Sequence, residues 1–258
     1  MMIKSHTKFY YTVLNEDKKK IYISLYTGFK ERKKDIWVEA NTTIVSTKEI
    51  SDIAVYVYND NPLFYYVDIK KFQIEKKLFG YYFRCEYLMC DREISKANIF
   101  LEKGIVAFEK MYLNSNMSEY DIEKQLHNYL INAAIYDNDA VLNEHLKGEA
   151  YNMLGPLLNK KGVCWGFSCA FKFLCDSFGI KCLVIMGQAK SNDGDEDHAW
   201  NIVKIGNCSY HVDVTWDLND NIQVKNNYKY FNLDDKTMRI DHKWDETLYP
   251  KCKSFAFN

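Results

Sequence analysis

The segment GVCWGFSCAFKFLCDSFG, from Gly162 to Gly179, decides how the rest of the chain is interpreted. Small and bulky apolar residues alternate at a spacing that fits a helix over residues 164–178, and Gly179 can adopt the backbone conformation that ends one. Cys164 would then lie in the first helical turn, where free backbone amides and the helix dipole stabilise a thiolate. This position makes Cys164 a candidate nucleophile, although a cysteine in apolar surroundings is more often an ordinary core residue.

The second candidate residue is the histidine that opens the sequence His198-Ala-Trp-Asn201. A predicted strand at residues 199–205 follows a polar loop rich in acids, so the imidazole should lie at the rim of a sheet and face a cleft. An imidazole there can take a proton from a thiol and return one to a leaving amine. A structural or surface role is the alternative, because a lone histidine at the start of a strand rarely takes part in catalysis.

The third candidate is an acid within a predicted strand, in the sequence Tyr210-His-Val-Asp-Val-Thr-Trp-Asp217. A carboxylate among apolar neighbours is costly to bury without a partner, and an imidazole on a neighbouring strand would stabilise Asp213. Side chains alternate along a strand, so His211 should share a face with Asp213 and is the rival of His198 as the base. Asp217 is interpreted as a turn residue.

Taken together, these segments resemble the transglutaminase-like superfamily. Its pattern is a cysteine in Gly-x-Cys-x-Gly-Tyr/Phe-Ala/Ser, a histidine in His-Ala-Trp-Asn and an aspartate in Asp-x-Thr-Trp-Asp. The resemblance covers roughly residues 119–252 and includes Tyr136-Asp137 and the tail from Tyr230 to Trp244. It implies a papain-like α+β fold in which the Cys164 helix packs on an antiparallel sheet.

The resemblance also implies a catalytic triad and an amide or peptide substrate. The triad would consist of Cys164, His198 and Asp213 and would form a thioester. Water would resolve this thioester in a protease or amidase, and an amine would resolve it in a transglutaminase. Such a reaction needs an oxyanion hole, to which the backbone N–H of Cys164 would contribute one donor. Further candidates for the hole or for substrate contact are Tyr151, Asn152, Trp165 and Trp200.

The remaining regions differ from this core in their residue pattern. Residues 1–90 alternate polar turns with β-branched and aromatic runs at residues 9–14, 20–26, 53–58, 64–69 and 81–88, which is typical of an antiparallel β-rich region. From residue 91 apolar residues recur every three or four positions, which predicts a helix there and another after Ser118, a suitable cap. We therefore predict an α+β protein with a β-rich N-terminal region at residues 1–90 and a helical lead-in and catalytic domain at residues 91–258.

Composition and charge exclude several classes of function. The 34 basic and 35 acidic side chains give a net charge of −1 and predict no surface for nucleic acid. No apolar run approaches the roughly 18 residues of a membrane span and no signal peptide is visible, so a cytoplasmic protein is expected. The eight cysteines include no Cys-x-x-Cys pair, and the acids at positions 193 and 195–197 lack the pattern of an EF-hand. We predict no metal and no cofactor.

Two functions remain open at this point. The first is thiol-dependent acyl transfer, in which hydrolysis is slightly favoured because water is always present and no amine site can be identified. The second is a non-catalytic module that retains the fold and binds a protein or peptide. An intact set of Cys164, His198 and Asp213 argues for the enzyme. In either case the expected partner is a protein or peptide.

Overall fold

The computed structural model describes residues 8–143, 148–191, 194–218 and 228–253. Contacts between residues divide the chain into two compact units, an N-terminal unit at Lys8–Asn98 and a C-terminal unit that contains Ile99–Asn258. The division falls within a long helix. Whether the predicted boundary after residue 90 separates two independent domains stays a prediction.

The N-terminal unit combines three helices with a three-stranded antiparallel sheet. Its elements are α1 (Phe9–Val13), α2 (Glu16–Lys30), β1 (Asp35–Glu39), α3 (Thr47–Asp60), β2 (Val67–Lys77) and β3 (Gly80–Tyr87). The strand order is β1-β3-β2, and α2 and α3 pack on each other and on the sheet. Leu25, Phe29 and Phe83 are fully buried in the core of this unit.

Three of the five strands predicted in this region are wrong. The segments concerned lie in α1, α2 and α3 and are residues 9–14, 20–26 and 53–58. Their aromatic and β-branched residues favour strands by propensity, but the polar residues that precede α2 and α3 form helix caps. The Asn15 side chain accepts a hydrogen bond from the Lys18 N–H, and Ser46 forms a capping box with Glu49. The N-terminal region is therefore mixed and not β-rich.

The other two predicted strands agree wholly or in part with the structure. The strand predicted at residues 81–88 is confirmed as β3. The strand predicted at residues 64–69 is right only in its second half, because Pro62–Phe64 forms a turn of 3₁₀ helix and β2 begins at Val67. Proline fixes its own φ and lacks a backbone donor, which favours the start of a helical turn over a strand.

The C-terminal unit opens with helices. These are α4 (Asp91–Tyr112), within which the division between the units falls, and α5 (Glu119–Ala133). The Ser118 cap is confirmed, since its side chain accepts from the Asp121 N–H and the two residues form a capping box. Leu126 and Leu130 form part of the buried face of α5. No helix in the described ranges has both the length and the apolar character that crossing a membrane requires.

A four-stranded antiparallel sheet and one buried helix form the core of the C-terminal unit. The elements that follow α5 are β4 (Ile135–Tyr136), α6 (Asn138–Leu142), β5 (Lys161–Gly162), α7 (Cys164–Ser177), β6 (Lys181–Ser191), β7 (Gly194–Ile205), β8 (Cys208–Val212), α8 (Asp235–Met238) and β9 (His242–Lys243). The strand order is β8-β7-β6-β9, and α7 packs on β6 and β7. This arrangement confirms the predicted α+β core, in which the Cys164 helix packs on an antiparallel sheet.

The hairpin of β6 and β7 is longer than predicted. The predicted start of β7 is residue 199, but its pairing with β6 continues to Gly194 opposite Ser191. Lys190 lies opposite Asp195, and a cross-strand pair of opposite charge supports this extension. The acids at 195–197 therefore lie on an exposed strand and not in the predicted loop, while Asp193 lies outside the described residues.

Candidate active site

Cys164 is the first residue of α7, and a close contact behind the helix sets its position. The N–H of Val163 donates to the Ala150 carbonyl oxygen at 3.0 Å, and a Cβ on Gly166 would come within 2.3 Å of the same oxygen. Only glycine fits at this approach. The Cys164 side chain is half-buried, whereas Cys169 in the next turn is fully buried. The thiol at the start of the helix is thus accessible to a reagent.

His198 lies on β7 opposite Gly187 of β6, and its imidazole is buried among aromatic rings. The ring stacks on Trp200 with centroids 6.0 Å apart and contacts Trp216 at 5.7 Å. A Cβ on Gly187 would lie within 2.6 Å of the Trp200 ring, so glycine leaves room for this packing. His198 is also hydrogen-bonded to the Cys164 thiol. The helix and the sheet thus bring the predicted nucleophile and base into contact.

Asp213 lies just beyond the end of β8 and contacts the far side of the imidazole. Its Oδ2 accepts a hydrogen bond from His198 Nε2 at 2.7 Å, and its Oδ1 accepts from the backbone N–H groups of Thr215 and Trp216 at 2.9 and 3.1 Å. The turn that follows β8 leaves these amides free to donate. All three predicted triad residues therefore form one connected cluster.

Burial and charge act in opposite directions on the two ionised members of this cluster. Burial disfavours the imidazolium, but the charge and hydrogen bond of Asp213, with a contribution from Cys164, raise the pKa of His198 to about 10. Burial likewise disfavours the carboxylate, but His198 and His242 hold the pKa of Asp213 well below its usual range. Each group therefore stabilises the charged form of the other.

His211, the rival base, is directed elsewhere. Its Nδ1 accepts the indole N–H of Trp200 at 3.0 Å, and its Nε2 lies 3.0 Å from Asp235 Oδ1. Burial lowers the pKa of His211 to about 4, so the ring is neutral at physiological pH. His211 lies opposite Ile202 of β7, which places its ring on the same face of the sheet as Trp200 and His198. His211 therefore shares a face with Asp213 as predicted, but Trp200 and Asp235 occupy both of its nitrogens.

Asp217 and His127 form a buried pair that the sequence did not suggest. Asp217 lies in the turn after β8, as interpreted, but it is fully buried, and its Oδ2 lies 3.1 Å from His127 Nε2 on α5. Its Oδ1 accepts the N–H of Tyr230 at 2.9 Å. The turn is thereby tied to α5 and to the tail of the chain.

Two residues of the site were missed by sequence reasoning, and the first is His242 on β9. Its Nε2 lies 3.1 Å from Asp213 Oδ2, and its Nδ1 lies 2.7 Å from Asp241 Oδ1. The sequence Asp241-His-Lys-Trp244 belongs to the stretch that resembles the superfamily, which was the available signal. Its role could not be inferred because the pairing of β9 with β6 brings together segments far apart in the chain.

The second missed residue is Tyr136 on β4. The backbone N–H of Cys164 donates to its hydroxyl, because β4 pairs with β5 and places Tyr136 beside Gly162. Burial and the neighbouring Cys164 thiol raise the pKa of Tyr136, so the hydroxyl keeps its proton and can donate it in a hydrogen bond. Tyr136 therefore lies beside the backbone amide of Cys164 with a hydroxyl that can donate a hydrogen bond. The pair Tyr136-Asp137 was noted in the sequence only as part of the resemblance.

The four candidates for the oxyanion hole or for substrate contact differ in their burial and partners. Tyr151 is half-buried, with its hydroxyl 3.5 Å from the Ala140 carbonyl oxygen, and Asn152 is buried, with its Oδ1 accepting from the Leu154 N–H at 2.8 Å. Trp165 follows Cys164 and is 8% exposed. Trp200 is fully buried beneath His198 and donates its N–H to His211, so its ring is not exposed at the surface.

Two clusters in the described residues could in principle hold a metal, and both are better explained by hydrogen bonds. In the first, His198 and His242 direct their Nε2 atoms at one oxygen of Asp213. The second contains His211, Asp235 and Cys252. Since the Trp200 indole donates to His211 Nδ1, the hydrogen of the neutral ring lies on Nε2, and no lone pair remains there for a cation. Neither donor set fits a metal ion as it stands.

Comparison with known proteins agrees with this geometry. Residues 107–234, which include all three members of the predicted triad, match the sequence model of the transglutaminase-like superfamily. No curated protein sequence matches the chain.

Two solved structures are similar to this chain in part. A proposed cysteine protease from Cytophaga hutchinsonii is 18% identical with a TM-score of 0.34, and the similarity covers 44% of this chain and 37% of that one. A TGase is 16% identical with a TM-score of 0.39, and the similarity covers 60% of this chain and 46% of that one. The match spans less than half the length of either structure. The family match by itself shows a domain of the transglutaminase-like superfamily at residues 107–234.

Proposed function

We propose that this protein is a cysteine-nucleophile enzyme that transfers an acyl group from an amide or peptide bond. The observation that carries the proposal is the connected cluster of Cys164, His198 and Asp213, in which one imidazole contacts both the thiol and a buried carboxylate. Such an imidazole can accept the thiol proton while the carboxylate fixes its tautomer and stabilises its charge.

The reaction proceeds in two halves. The proton of the Cys164 thiol moves to His198 Nδ1, since Nε2 donates to Asp213, and the raised pKa of the ring favours this transfer. The sulfur then attacks the amide carbonyl carbon, and the carbonyl oxygen becomes an oxyanion. His198 returns its proton to the nitrogen of the leaving amine, the C–N bond breaks, and a thioester remains. Water or an amine next loses a proton to His198 and attacks the thioester, which releases the product and regenerates the thiol.

Two hydrogen-bond donors stabilise the oxyanion. One is the backbone N–H of Cys164, at the start of α7, where helical amides are free. The other is the Tyr136 hydroxyl, which accepts from that same N–H in the absence of substrate. When a substrate oxygen enters, the hydroxyl needs only to rotate its O–H toward that oxygen. We infer a protein or peptide substrate, and hydrolysis is favoured because water is always available as the acceptor.

The first experiment tests the nucleophile and the base. A peptide vinyl sulfone should label Cys164 of the full chain, and His198→Ala should abolish the labelling. His211→Ala is the matched control, because this buried histidine lies on the same sheet and should leave labelling unchanged. Cys208→Ala, at another half-buried cysteine, should also have no effect. If His198→Ala retained labelling, or if Cys208 were labelled as fast as Cys164, the non-catalytic binding module would be the better explanation.

The second experiment identifies the acceptor. Peptide and protein amides are profiled with the wild-type chain and with Cys164→Ala, with and without a primary amine. Release of free carboxylate that depends on Cys164 indicates hydrolysis, and incorporation of the amine indicates transamidation. We expect Cys164→Ser and His198→Ala each to reduce turnover to background, because nucleophile and base act as a unit, and Asp213→Asn to be milder.

A further inference from the structure

His242 shares the carboxylate of Asp213 with His198. Its Nε2 lies 3.1 Å from Asp213 Oδ2, the same oxygen that His198 Nε2 contacts at 2.7 Å. Its other nitrogen, Nδ1, lies 2.7 Å from Asp241 Oδ1. The second oxygen of Asp241 accepts the Tyr230 hydroxyl at 2.7 Å. The thiol, two imidazoles and two carboxylates therefore form one continuous chain of contacts.

These contacts fix the protons on His242. A ring nitrogen at hydrogen-bonding distance from a carboxylate oxygen must carry the hydrogen, since the oxygen offers only lone pairs. Asp213 is a carboxylate, because two backbone amides and His198 donate to it and its pKa is held well below the usual range. Asp241 already accepts the Tyr230 O–H and is partly exposed to water. A ring with a hydrogen on each nitrogen, which is a cation, satisfies both of these contacts.

The surroundings of His242 favour this cation. Aromatic rings lie around it, with centroids 4.4 Å away for Trp216, 5.0 Å for Trp200 and 5.6 Å for Tyr230. Electron-rich ring faces stabilise a neighbouring positive charge. A buried charge persists only when it is paired, and His242 is flanked by two carboxylates.

We propose that His242 is a cationic positioning residue for the acyl-transfer reaction. It holds Oδ2 of Asp213 toward His198 and offsets part of the charge of that carboxylate. His198 then remains correctly oriented but releases its proton to the leaving amine more readily than it would beside Asp213 alone. The role in acyl transfer rests on the proposed function, whereas the charge of His242 and its effect on His198 do not.

The size of the effect follows from the geometry. The groups that face His198 are Asp213, Cys164 and His242. Those that face His242 are Asp213, Asp241 and His198, and the neutral His211 also lies near it. The ring centroids of His198 and His242 are 5.5 Å apart. Two unit charges at this distance interact strongly enough to shift a titration midpoint by about 0.5 to 2 pH units for effective dielectric constants between 80 and 20. Removing the charge of His242 should therefore move the midpoint of His198 upward by that amount.

The test follows the titration of His198 by NMR of ¹⁵N-histidine-labelled full-length protein. Cys164→Ala serves as the background, so that the thiolate does not complicate the titration. His242→Gln keeps a donor near Asp213 Oδ2 and removes the positive charge. His127→Gln is the matched control, because His127 is an equally buried histidine whose Nε2 also faces a carboxylate oxygen, that of Asp217.

The expected result is an upward shift of about 0.5 to 2 pH units for His198 in His242→Gln and no shift in His127→Gln. An unchanged or lowered midpoint in His242→Gln would overturn the proposal. If His242→Gln does not fold, the ¹⁵N shifts of His242 in the unsubstituted chain decide, since a neutral tautomer at pH 7 would overturn it equally. Failure of Cys164 to react with a vinyl sulfone would refute the proposed function and leave this titration result standing.

Discussion

Lys172 and Asp176 form an ion pair behind the candidate nucleophile, and breaking it should cost far more than breaking a similar pair at the surface. Lys172 Nζ lies 2.9 Å from Asp176 Oδ2 and 2.9 Å from the Cys182 carbonyl oxygen, and both side chains of the pair are 1% exposed. The lysine therefore ties α7 to β6. Lys172→Met keeps the apolar part of the side chain but leaves a buried carboxylate without its cation, which costs about 3–5 kcal/mol.

A pair of the same length in the C-terminal unit provides the control. Lys251 Nζ lies 2.9 Å from Glu246 Oε2, but these side chains are 61% and 34% exposed. Water screens such a pair, and Lys251→Met should cost no more than about 1 kcal/mol. The double variant Lys172→Met/Asp176→Leu removes both buried charges and should regain most of the loss, because well-packed apolar residues replace a buried pair at little cost.

The assay is urea unfolding followed by tryptophan fluorescence. Four of the five tryptophans lie in the C-terminal unit, so the signal reports mainly on that unit. The free energies of unfolding are obtained by linear extrapolation for the wild type and the three variants. Similar losses for Lys172→Met and Lys251→Met, or a double variant that is less stable than Lys172→Met, would refute the reasoning from burial.

Three further predictions concern the site. Tyr136→Phe should lower kcat/KM for an amide substrate about 100- to 1,000-fold while alkylation of Cys164 by iodoacetamide is unchanged. Tyr151→Phe should have little effect on kcat/KM. If the two variants lost the same activity, Tyr136 would not be the oxyanion donor. At a pH of about 6, Cys164 should be the first cysteine that iodoacetamide modifies, as read by peptide mass spectrometry, and earlier modification of the exposed Cys90 would contradict the thiolate–imidazolium pair. Glu196→Gln should raise the relative rate on acidic peptides, with a smaller effect at high salt; a salt-independent preference would count against charge as its cause.

The choice of base shows where sequence reasoning reached its limit. His198 and His211 are both near Asp213 in the chain, and alternation along a strand made His211 a second candidate for the base. The structure separates them because Trp200 and Asp235 occupy both nitrogens of His211, whereas His198 contacts Asp213. Hydrogen-bond partners that come from other strands are not visible in a local pattern.

The N-terminal unit shows a second limit. Aromatic and β-branched residues dominate α2 and α3, and their composition alone predicted strands. These segments are helices for two reasons. Caps start them at Asn15 and Ser46, and the apolar residues of α2, which include Ile21 and Leu25, recur at helical spacing and pack in the core. Tertiary packing outweighed intrinsic propensity at these positions.

The sequence by itself determined the Cys164 helix, the sheet that follows it and the α+β class, and it pointed to His198 and Asp213. It could do so because each of these features depends on neighbours within a few residues: helical spacing, a glycine at a helix end, a carboxylate among apolar residues. Only the tertiary structure decided that His242 and Tyr136 join them. Both reach the site through strand pairing, β9 on β6 and β4 beside β5, and strand pairing depends on contacts between segments whose separation along the chain carries no local signal.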